Sequence, residues 1–175
     1  LALLALMISG IALWLSYQST DGHIVKGGGR VLVHPYIDRS CQMLVSIPVS
    51  YHNSGKRAVS LQRFIPAEDV PSIIFLKNKE IIKEVVSYKL HIFEEKVLTP
   101  THMFNLLETT PEYSLESYRY LDILIKPGDT FEASFVITAQ DHINGKKLFD
   151  DVMVAIGTEF SNGQVIEHRS AINLE

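Results

Sequence analysis

The chain has 175 residues, 46% of them hydrophobic and 21% charged, a composition that excludes wholesale disorder and collagen-like structure. Its 16 basic and 20 acidic residues give a formal charge of -4, the wrong sign for a protein that binds nucleic acid by neutralising phosphates. The single cysteine, Cys41, excludes an internal disulfide and a cysteine-rich zinc site.

Residues 1–17 form the first predicted element. The segment LALLALMISGIALWLSY contains no charged residue. As a helix it is about 26 Å long, close to the ~30 Å hydrocarbon thickness of a bilayer. Trp14 and Tyr17 stand where aromatic residues anchor a span at the membrane interface. The segment therefore predicts one transmembrane helix, and we expect the span to continue upstream of Leu1.

A cleaved secretory signal is the alternative interpretation of this segment. Signal peptides end in small residues of the Ala-x-Ala type. Trp14, Leu15 and Tyr17 occupy that place here, and no cysteine follows closely enough for a lipoprotein. We therefore expect an uncleaved single-pass anchor in the inner (cytoplasmic) membrane, with the N-terminus cytoplasmic and the following domain periplasmic or extracellular.

Small residues recur along the predicted helix at spacings of 3, 4, 3 and 4: Ala2, Ala5, Ser9, Ala12 and Ser16. In lipid, a stripe of small residues lets two helix backbones approach closely, and a mean spacing of 3.5 indicates a left-handed crossing. The stripe predicts a face that docks on helices of integral membrane subunits. The alternative is a chance alignment of residues that are common in membrane spans.

Residues 18–30, QSTDGHIVKGGGR, are polar and rich in glycine, and they predict a flexible linker. The run Gly27-Gly28-Gly29 does not fit a phosphate-binding loop, because it leads into a strand-like sequence without the required Lys-Ser/Thr or Gly-x-Gly-x-x-Gly spacing. We therefore expect the folded domain to cover residues 31–175.

From Val31 onward, hydrophobic residues alternate with polar ones, which is typical of strands with one buried face. Turn-forming sequences such as HNSGK and KPGD separate the alternating runs. Residues 98–117 interrupt the alternation and predict a short helix or an ordered loop. Before the C-terminal hairpin, the clearest predicted strands cover residues 43–51, 59–65, 73–77, 81–93, 118–126 and 131–137.

The C-terminal part of the chain predicts a hairpin. Two alternating runs, VMVAIGTEF and VIEHRSAINL, flank the sequence Ser161-Asn162-Gly163-Gln164. The pair Asn162-Gly163 favours a type I′ turn, in which both central residues have positive φ. With this hairpin the chain has about 7–9 predicted strands and no long amphipathic helix between them. The domain is therefore predicted to be an all-β, antiparallel β-sandwich.

Part of the sequence resembles a known class of domain. The segments VSIPVSYHNSGKRAVSLQRF and LDILIKPGDTFEASFVI, with the terminal hairpin, resemble the immunoglobulin-like sandwiches of bacterial envelope proteins over residues 31–174. The resemblance implies an immunoglobulin-like fold but no specific activity. The disulfide and core tryptophan of antibody domains are absent, because Cys41 is alone and Trp14 is in the predicted span.

Patterns for catalysis and metal binding are weak. The sequence has no Gly-x-Ser-x-Gly motif, and adjacent acidic residues would point to opposite faces of a strand. His102, Met103, Cys41 and Met43 carry ligand types that suit copper, but no spacing completes a copper motif, and Met43 fits the core better. We therefore expect no enzymatic activity, no cofactor and no small-molecule substrate.

Basic residues cluster in the predicted turns at Lys56-Arg57, at residues 77–83 and at residues 146–147. We interpret these clusters as solvated turns. The alternative is contact with anionic lipid head groups or with an acidic partner.

Together these features predict a non-catalytic accessory or structural subunit of a larger membrane complex, such as a respiratory, photosynthetic, transport or secretion complex. Its helix would dock on integral subunits within the lipid bilayer, and its sandwich would brace the extracytoplasmic face. A membrane-tethered binding or sensing module for a soluble partner is the alternative. A copper-handling chaperone or enzyme is a third hypothesis.

Overall fold

The computed structural model describes residues 7–11, 14, 21–34, 42–67, 72–82, 86–95, 99–115 and 120–174. Residues 7–11 and 14 are helical, and a second helix, labelled α1 here, covers Pro100–Thr109. The strands are β1 (Ile24–Gly28), β2 (Leu32–His34), β3 (Gln42–Asn53), β4 (Val59–Pro66), β5 (Ile73–Lys77), β6 (Glu80–Ile81), β7 (Tyr88–Phe93), β8 (Ile123–Ile125), β9 (Thr130–Gln140), β10 (His142–Ile143), β11 (Lys146–Lys147), β12 (Asp151–Phe160) and β13 (Val165–Asn173).

The strands form two main antiparallel sheets. In the first sheet, β1 and β2 share one edge of β3, while β9 pairs with its other edge and β7 pairs with β9. In the second sheet, β13 pairs with one edge of β12, and β5 and β4 follow each other along the other edge. Strands β6 and β8 flank β5 and β4, and β10 and β11 form a separate small hairpin. The all-β, antiparallel prediction is confirmed.

The two sheets face each other across one hydrophobic core. The rings of Tyr51 from β3 and Phe160 from β12 meet edge to face with centroids 5.3 Å apart, and Phe64 from β4 meets Phe135 from β9 at 5.2 Å. Side chains alternate along each strand, so every second residue reaches this core. Its buried members include Met43, Val45, Ile47, Val49, Leu90, Ala133 and Ile137 from the first sheet, and Val59, Leu61, Ile73, Phe75, Val152, Val154, Ile156 and Ile172 from the second.

Helix α1 covers part of the outer face of the first sheet. Leu44 of β3 and Val136 of β9 point away from the main core, yet both are fully buried against Met103 of α1 and Phe93 of β7. The sequence pattern predicted strands with one buried face, whereas β3 and β9 are buried on both. The reason is that the helix within residues 98–117 supplies a second apolar surface, which periodicity within a strand does not reveal.

Residues 24–28, which we expected within a flexible linker, form strand β1 along β3. Ile24 is almost fully buried in the main core. A Cβ on Gly27 would lie 2.2 Å from the Oγ of Ser50, so this glycine leaves room for the Ser50 side chain on the neighbouring strand. The domain begins upstream of the predicted position 31.

The predicted strand over residues 81–93 is two strands in different sheets. Strand β6 ends at Ile81 in the second sheet, and β7 begins at Tyr88 in the first. The chain must cross from one sheet to the other between them, so the ladder is interrupted. The predicted strand over 118–126 is likewise reduced to Ile123–Ile125.

The hairpin between β12 and β13 has a different turn from the one expected. Of Asn162 and Gly163, only Gly163 has positive φ, at 79°. The N–H of Gly163 donates to the carbonyl of Phe160 at 2.9 Å, which is typical of a type I turn followed by a left-handed glycine. Two consecutive positive φ values, 51° and 75°, occur instead at Asn144 and Gly145 between β10 and β11.

Candidate functional site

The predicted docking stripe and interface anchors fall on the N-terminal segment. Ser9 and Trp14 are described, and both are helical and exposed. The other members lie outside the described residues: Ala2, Ala5, Ala12, Ser16 and Tyr17. Among the residues that the structure describes, no helix is long and apolar enough to cross a membrane. The transmembrane helix and its docking stripe therefore stay predictions.

Apolar side chains dominate the surface of the described part of this segment. Met7, Ile8, Ile11 and Trp14 are 62%, 60%, 57% and 59% exposed. A Cβ placed on Gly10 would meet no atom within 4 Å, so this side of the segment is open. A contiguous apolar surface of this kind is typical of segments that contact lipid or another protein.

The chain joins the sandwich at residues 21–23, which lie against the turn that follows β3. A Cβ on Gly55 would be 2.4 Å from both the carbonyl oxygen of Asp21 and the nitrogen of His23. The N–H of Ser54 donates to the carbonyl of His23 at 2.8 Å. We call residues 21–24, 53–57 and 161–164 the junction site. Backbone lies directly on backbone here, so residues 21–23 are held against the domain.

Asn53 is the centre of the junction site. Its side chain is fully buried, and its Nδ2 donates to the carbonyls of Arg57 at 2.7 Å and Ile125 at 3.0 Å. Its Oδ1 accepts the N–H of Gly55 at 3.0 Å and that of His23 at 3.4 Å. An asparagine amide has two donors and two acceptor positions, and all four are used. Asn53 thus joins the ends of β3 and β8, the 54–57 turn and the incoming chain.

The C-terminal hairpin holds the incoming chain from the other side. The side-chain amide of Gln164 accepts the N–H of Ile24 at 3.0 Å and donates to the carbonyl of Ile24 at 2.7 Å, as a neighbouring strand would. Asn162 Nδ2 donates to the carbonyl of Gly22 at 2.9 Å. The junction therefore connects the incoming chain to both sheets.

The junction limits the distance between the sandwich and the apolar segment. Only seven peptide steps separate Trp14 from Asp21. Even a fully extended chain of this length spans at most about 25 Å. The junction end of the sandwich must therefore lie close to whatever surface covers Trp14.

A buried polar cluster lies between the two sheets. The hydroxyls of Tyr51 and Thr158 are hydrogen-bonded at 2.6 Å, and the ring of His168 meets that of Tyr51 edge to face at 5.3 Å. The Nε2 of His168 is buried without a hydrogen-bond partner. Burial lowers the pKa of His168 to about 4, with a smaller contribution from the Lys26 ammonium, and burial raises the pKa of Tyr51. At neutral pH both side chains are uncharged and shielded from solvent, as core residues are.

The residues considered for copper do not assemble into a site in the described parts of the chain. Met43 and Met103 are fully buried in the two hydrophobic clusters. Cys41 and the side chain of His102 lie outside the described residues. Within the described ranges, no group of three or more His, Cys, Asp or Glu side chains could hold a metal ion.

The lysine-rich turns lie at the opposite end of the sandwich from the junction, because β12 runs between the two ends. Lys77, Lys146 and Lys147 border one shallow cavity there. Lys77 Nζ donates to the carbonyl of Lys147, and Lys147 Nζ is 3.6 Å from Asp150 Oδ1. The N–H of Asn78 and, to a smaller extent, these lysines lower the pKa of Asp150. These partners belong to the same turns, as expected for a solvated turn cluster.

The chain has only weak similarity to the known proteins with which it was compared. No protein-family model matches the sequence, and a search of curated proteins returns no match. Among solved structures, the chain is similar to one described as the ApaA protein from Bordetella pertussis, at 13% identity, with 87% of this chain and 93% of that chain covered and a TM-score of 0.33. A TM-score of 0.33 is too low to identify a fold or a function.

Sequence reasoning missed the junction site. It identified HNSGK as a turn, and Asn53 is an ordinary turn residue in sequence. Its burial depends on contacts with residues 30 and 72 positions away, which local pattern does not report. The available signals were Gly22 and Gly55, since glycines beside a strand-like run also occur where backbones approach closely.

We expect Asn53→Ala to lower the free energy of unfolding by about 2–4 kcal/mol, because it leaves a buried carbonyl and the N–H of His23 without their partner. Urea unfolding of the full chain measures the change. Asn162→Ala is the matched control, because Asn162 also binds the incoming chain but is exposed, and its loss should cost less than about 1 kcal/mol. Equal losses for the two variants would contradict a central role for Asn53.

We expect the protein to lose stability as the pH falls from about 6.5 to about 4. His168 has a pKa of about 4 when folded and 6.5 when unfolded, so the unfolded chain binds more protons in this window. The loss from this one residue is about 3 kcal/mol at the acid end. Urea unfolding at several pH values, compared between the parent and His168→Phe, isolates it. Parallel pH profiles for parent, His168→Phe and His168→Gln would contradict the assignment.

Proposed function

We propose that this chain is a single-span membrane protein with an extracytoplasmic immunoglobulin-like sandwich, and that it serves as a non-catalytic accessory subunit of a larger membrane complex. The observation that carries the proposal is the exposed apolar segment at Met7, Ile8, Ile11 and Trp14, held within a short distance of a rigid junction. Lipid and a partner helix together would cover such a segment.

The junction favours an accessory subunit over a tethered binding module. A module that searches for soluble partners benefits from a long flexible linker. Residues 24–28 form a strand in this chain, and residues 21–23 are bound by Asn53, Ser54 and Asn162. A domain held this close to its anchor suits a bracing role at the membrane surface, with the junction end facing the membrane.

The immunoglobulin-like assignment has support from the arrangement of strands. Two antiparallel sheets face each other, and their alternating side chains build one core, as in that class of sandwich. Helix α1 and the β10–β11 hairpin are additions to the two sheets.

With the junction end towards the membrane, the lysine-rich turns point away from it, which argues against contact between those lysines and lipid head groups.

Two other functions stay open in this proposal. A tethered binding or sensing module would use the same anchor, and it is preferred if no integral partner accompanies the protein. A copper chaperone or enzyme has weaker support, because the described methionines Met43 and Met103 are core residues.

We expect the full chain to remain in the membrane fraction after high-salt and alkaline washing, because a helix inserted in lipid is not released by loss of electrostatic contacts. Immunoblotting of washed membranes and supernatants measures this. A tagged version beginning at Asp21 is the control and should be released. Release of the full chain as an N-terminally processed species would contradict the anchor.

We expect Ser9→Leu to reduce recovery of integral partner subunits on a tagged full chain solubilised in mild detergent. The added side chain would push a docked helix away from the small-residue stripe, while the segment stays apolar and inserts normally. Gly10→Leu is the matched control, since it adds the same side chain about 100° around the helix, where a Cβ meets no atom within 4 Å. Equal recovery for both variants and the parent would favour the tethered-module alternative.

A further inference from the structure

Strand β13 is a long sheet edge with open backbone groups. Its register with β12 continues to Leu174, whose N–H donates to the carbonyl of Asp150. Because the direction of backbone groups alternates along a strand, even-numbered residues of β13 pair with β12 and odd-numbered residues point outward. Among the residues that the structure describes, the outward backbone groups of Arg169 and Ala171 have no hydrogen-bond partner. Such an edge is a template for adding another strand.

Strands β1 and β7 at the edges of the first sheet are shorter than β13, and each has at least one outward backbone group that is already bound. The outward carbonyl of Leu90 in β7 accepts the N–H of Tyr113 at 2.7 Å. On the other side, both backbone groups of Ile24 in β1 are bound by the side chain of Gln164. Strand β13 is therefore the longest edge strand among the described residues, and backbone groups along it are available.

We propose that β13 pairs antiparallel with β13 of a second copy of this chain, about a two-fold axis at His168. Two odd-numbered residues of β13, Glu167 and Arg169, carry opposite charges. On the exposed face of the sheet, Arg169 Nη2 lies 2.7 Å from Glu167 Oε2. In the proposed register each Glu167 lies opposite the second copy's Arg169, and each Val165 lies opposite the second copy's Ala171. The pairing therefore forms two cross-strand ion pairs and covers Val165, which is 50% exposed.

The charges select this register over its neighbours. Moving the two-fold axis by one residue places either Arg169 opposite Arg169 or Glu167 opposite Glu167. Like charges directly opposite each other destabilise a strand pair. The axis at His168 is the arrangement in which both charged residues meet their complements. The partner that best fits the pattern on this edge is thus the same strand of another copy.

Lys26 restrains the association. Its Nζ donates to the outward carbonyl of Glu167 at 2.8 Å, at the position where a second strand would bind. A lysine over a sheet edge is a common device against unwanted strand pairing. The second copy must displace this ammonium, so the dimer is weak and reversible. Lys26 also links β1 to β13, so the restraint comes from the first sheet.

The dimer places the two junction sites at opposite ends of the shared sheet, because its central strands are antiparallel. Two copies anchored in one membrane would then lie with their strands along the membrane surface, whereas a single copy in the proposed function has its junction end facing the membrane. Each junction is within about 25 Å of its own Trp14, which permits that arrangement.

The test is the mass of the full chain in a nonionic detergent, measured by sedimentation at about 100 µM, a concentration suited to a micromolar interface. We expect a mixture of monomer and dimer for the parent, and association about tenfold tighter for Lys26→Ala, which removes one competing hydrogen bond. Monomer for both proteins would overturn the proposal.

Exchanging the charges of Arg169 and Glu167 distinguishes a dimer that pairs through the β13 edge from a dimer that forms through another surface. Arg169→Glu and Glu167→Arg should each weaken the dimer at least about tenfold, because each creates two like-charge pairs. The double exchange restores opposite charges and should restore the dimer. Ser9→Leu should leave it unchanged, which excludes association through the helix.

Ala171→Pro tests the backbone directly. It removes an outward N–H without touching the ladder to β12, a position where an edge strand tolerates proline. We expect a monomer with the unfolding midpoint close to that of the parent. Thermal melts show that each variant is folded. Equal dimer fractions for the parent, Arg169→Glu and Ala171→Pro would overturn the proposal.

Discussion

The side chain of Asn53 holds together parts of the chain that no local pattern would bring into contact. Its amide is fully buried, and its four hydrogen bonds reach the incoming chain at His23, the turn at Gly55 and Arg57, and the end of β8 at Ile125. A buried amide is stable only when its donors and acceptors are satisfied, so the positions of these segments are mutually dependent. The close contact of Gly55 with residues 21–23 follows from the same constraint.

The first sheet has to satisfy two packing partners at once. One face of β3 and β9 joins the second sheet, and the other face receives Met103 from α1. Between the sheets, the core accepts the polar side chains of Tyr51, Thr158 and His168 because two of them bond each other and the third is held neutral by burial. This cluster places three polar side chains between the sheets, and through His168 it links stability to acidity.

The junction and the β13 edge set how the domain can meet other molecules. The junction removes the freedom that a glycine-rich linker would have given, so the sandwich stays near its N-terminal segment. The edge leaves open the backbone groups of Arg169 and Ala171, while Lys26 covers the neighbouring carbonyl of Glu167. Bracing a membrane complex and weak self-association involve different surfaces of the sandwich, and they orient its strands differently relative to the membrane.

Sequence pattern alone determined that this is an antiparallel all-β domain, since a period of two and explicit turn residues follow from the geometry of single strands. It also determined the apolar character of residues 1–17, although the docking stripe and the membrane span stay predictions. Tertiary structure decided why a glycine stands at position 27, how the Asn162-Gly163 turn closes and why 81–93 divides between two sheets. It also made Asn53 the centre of a site. Each of these depends on contacts between residues far apart in the chain, and local periodicity carries no information about such contacts.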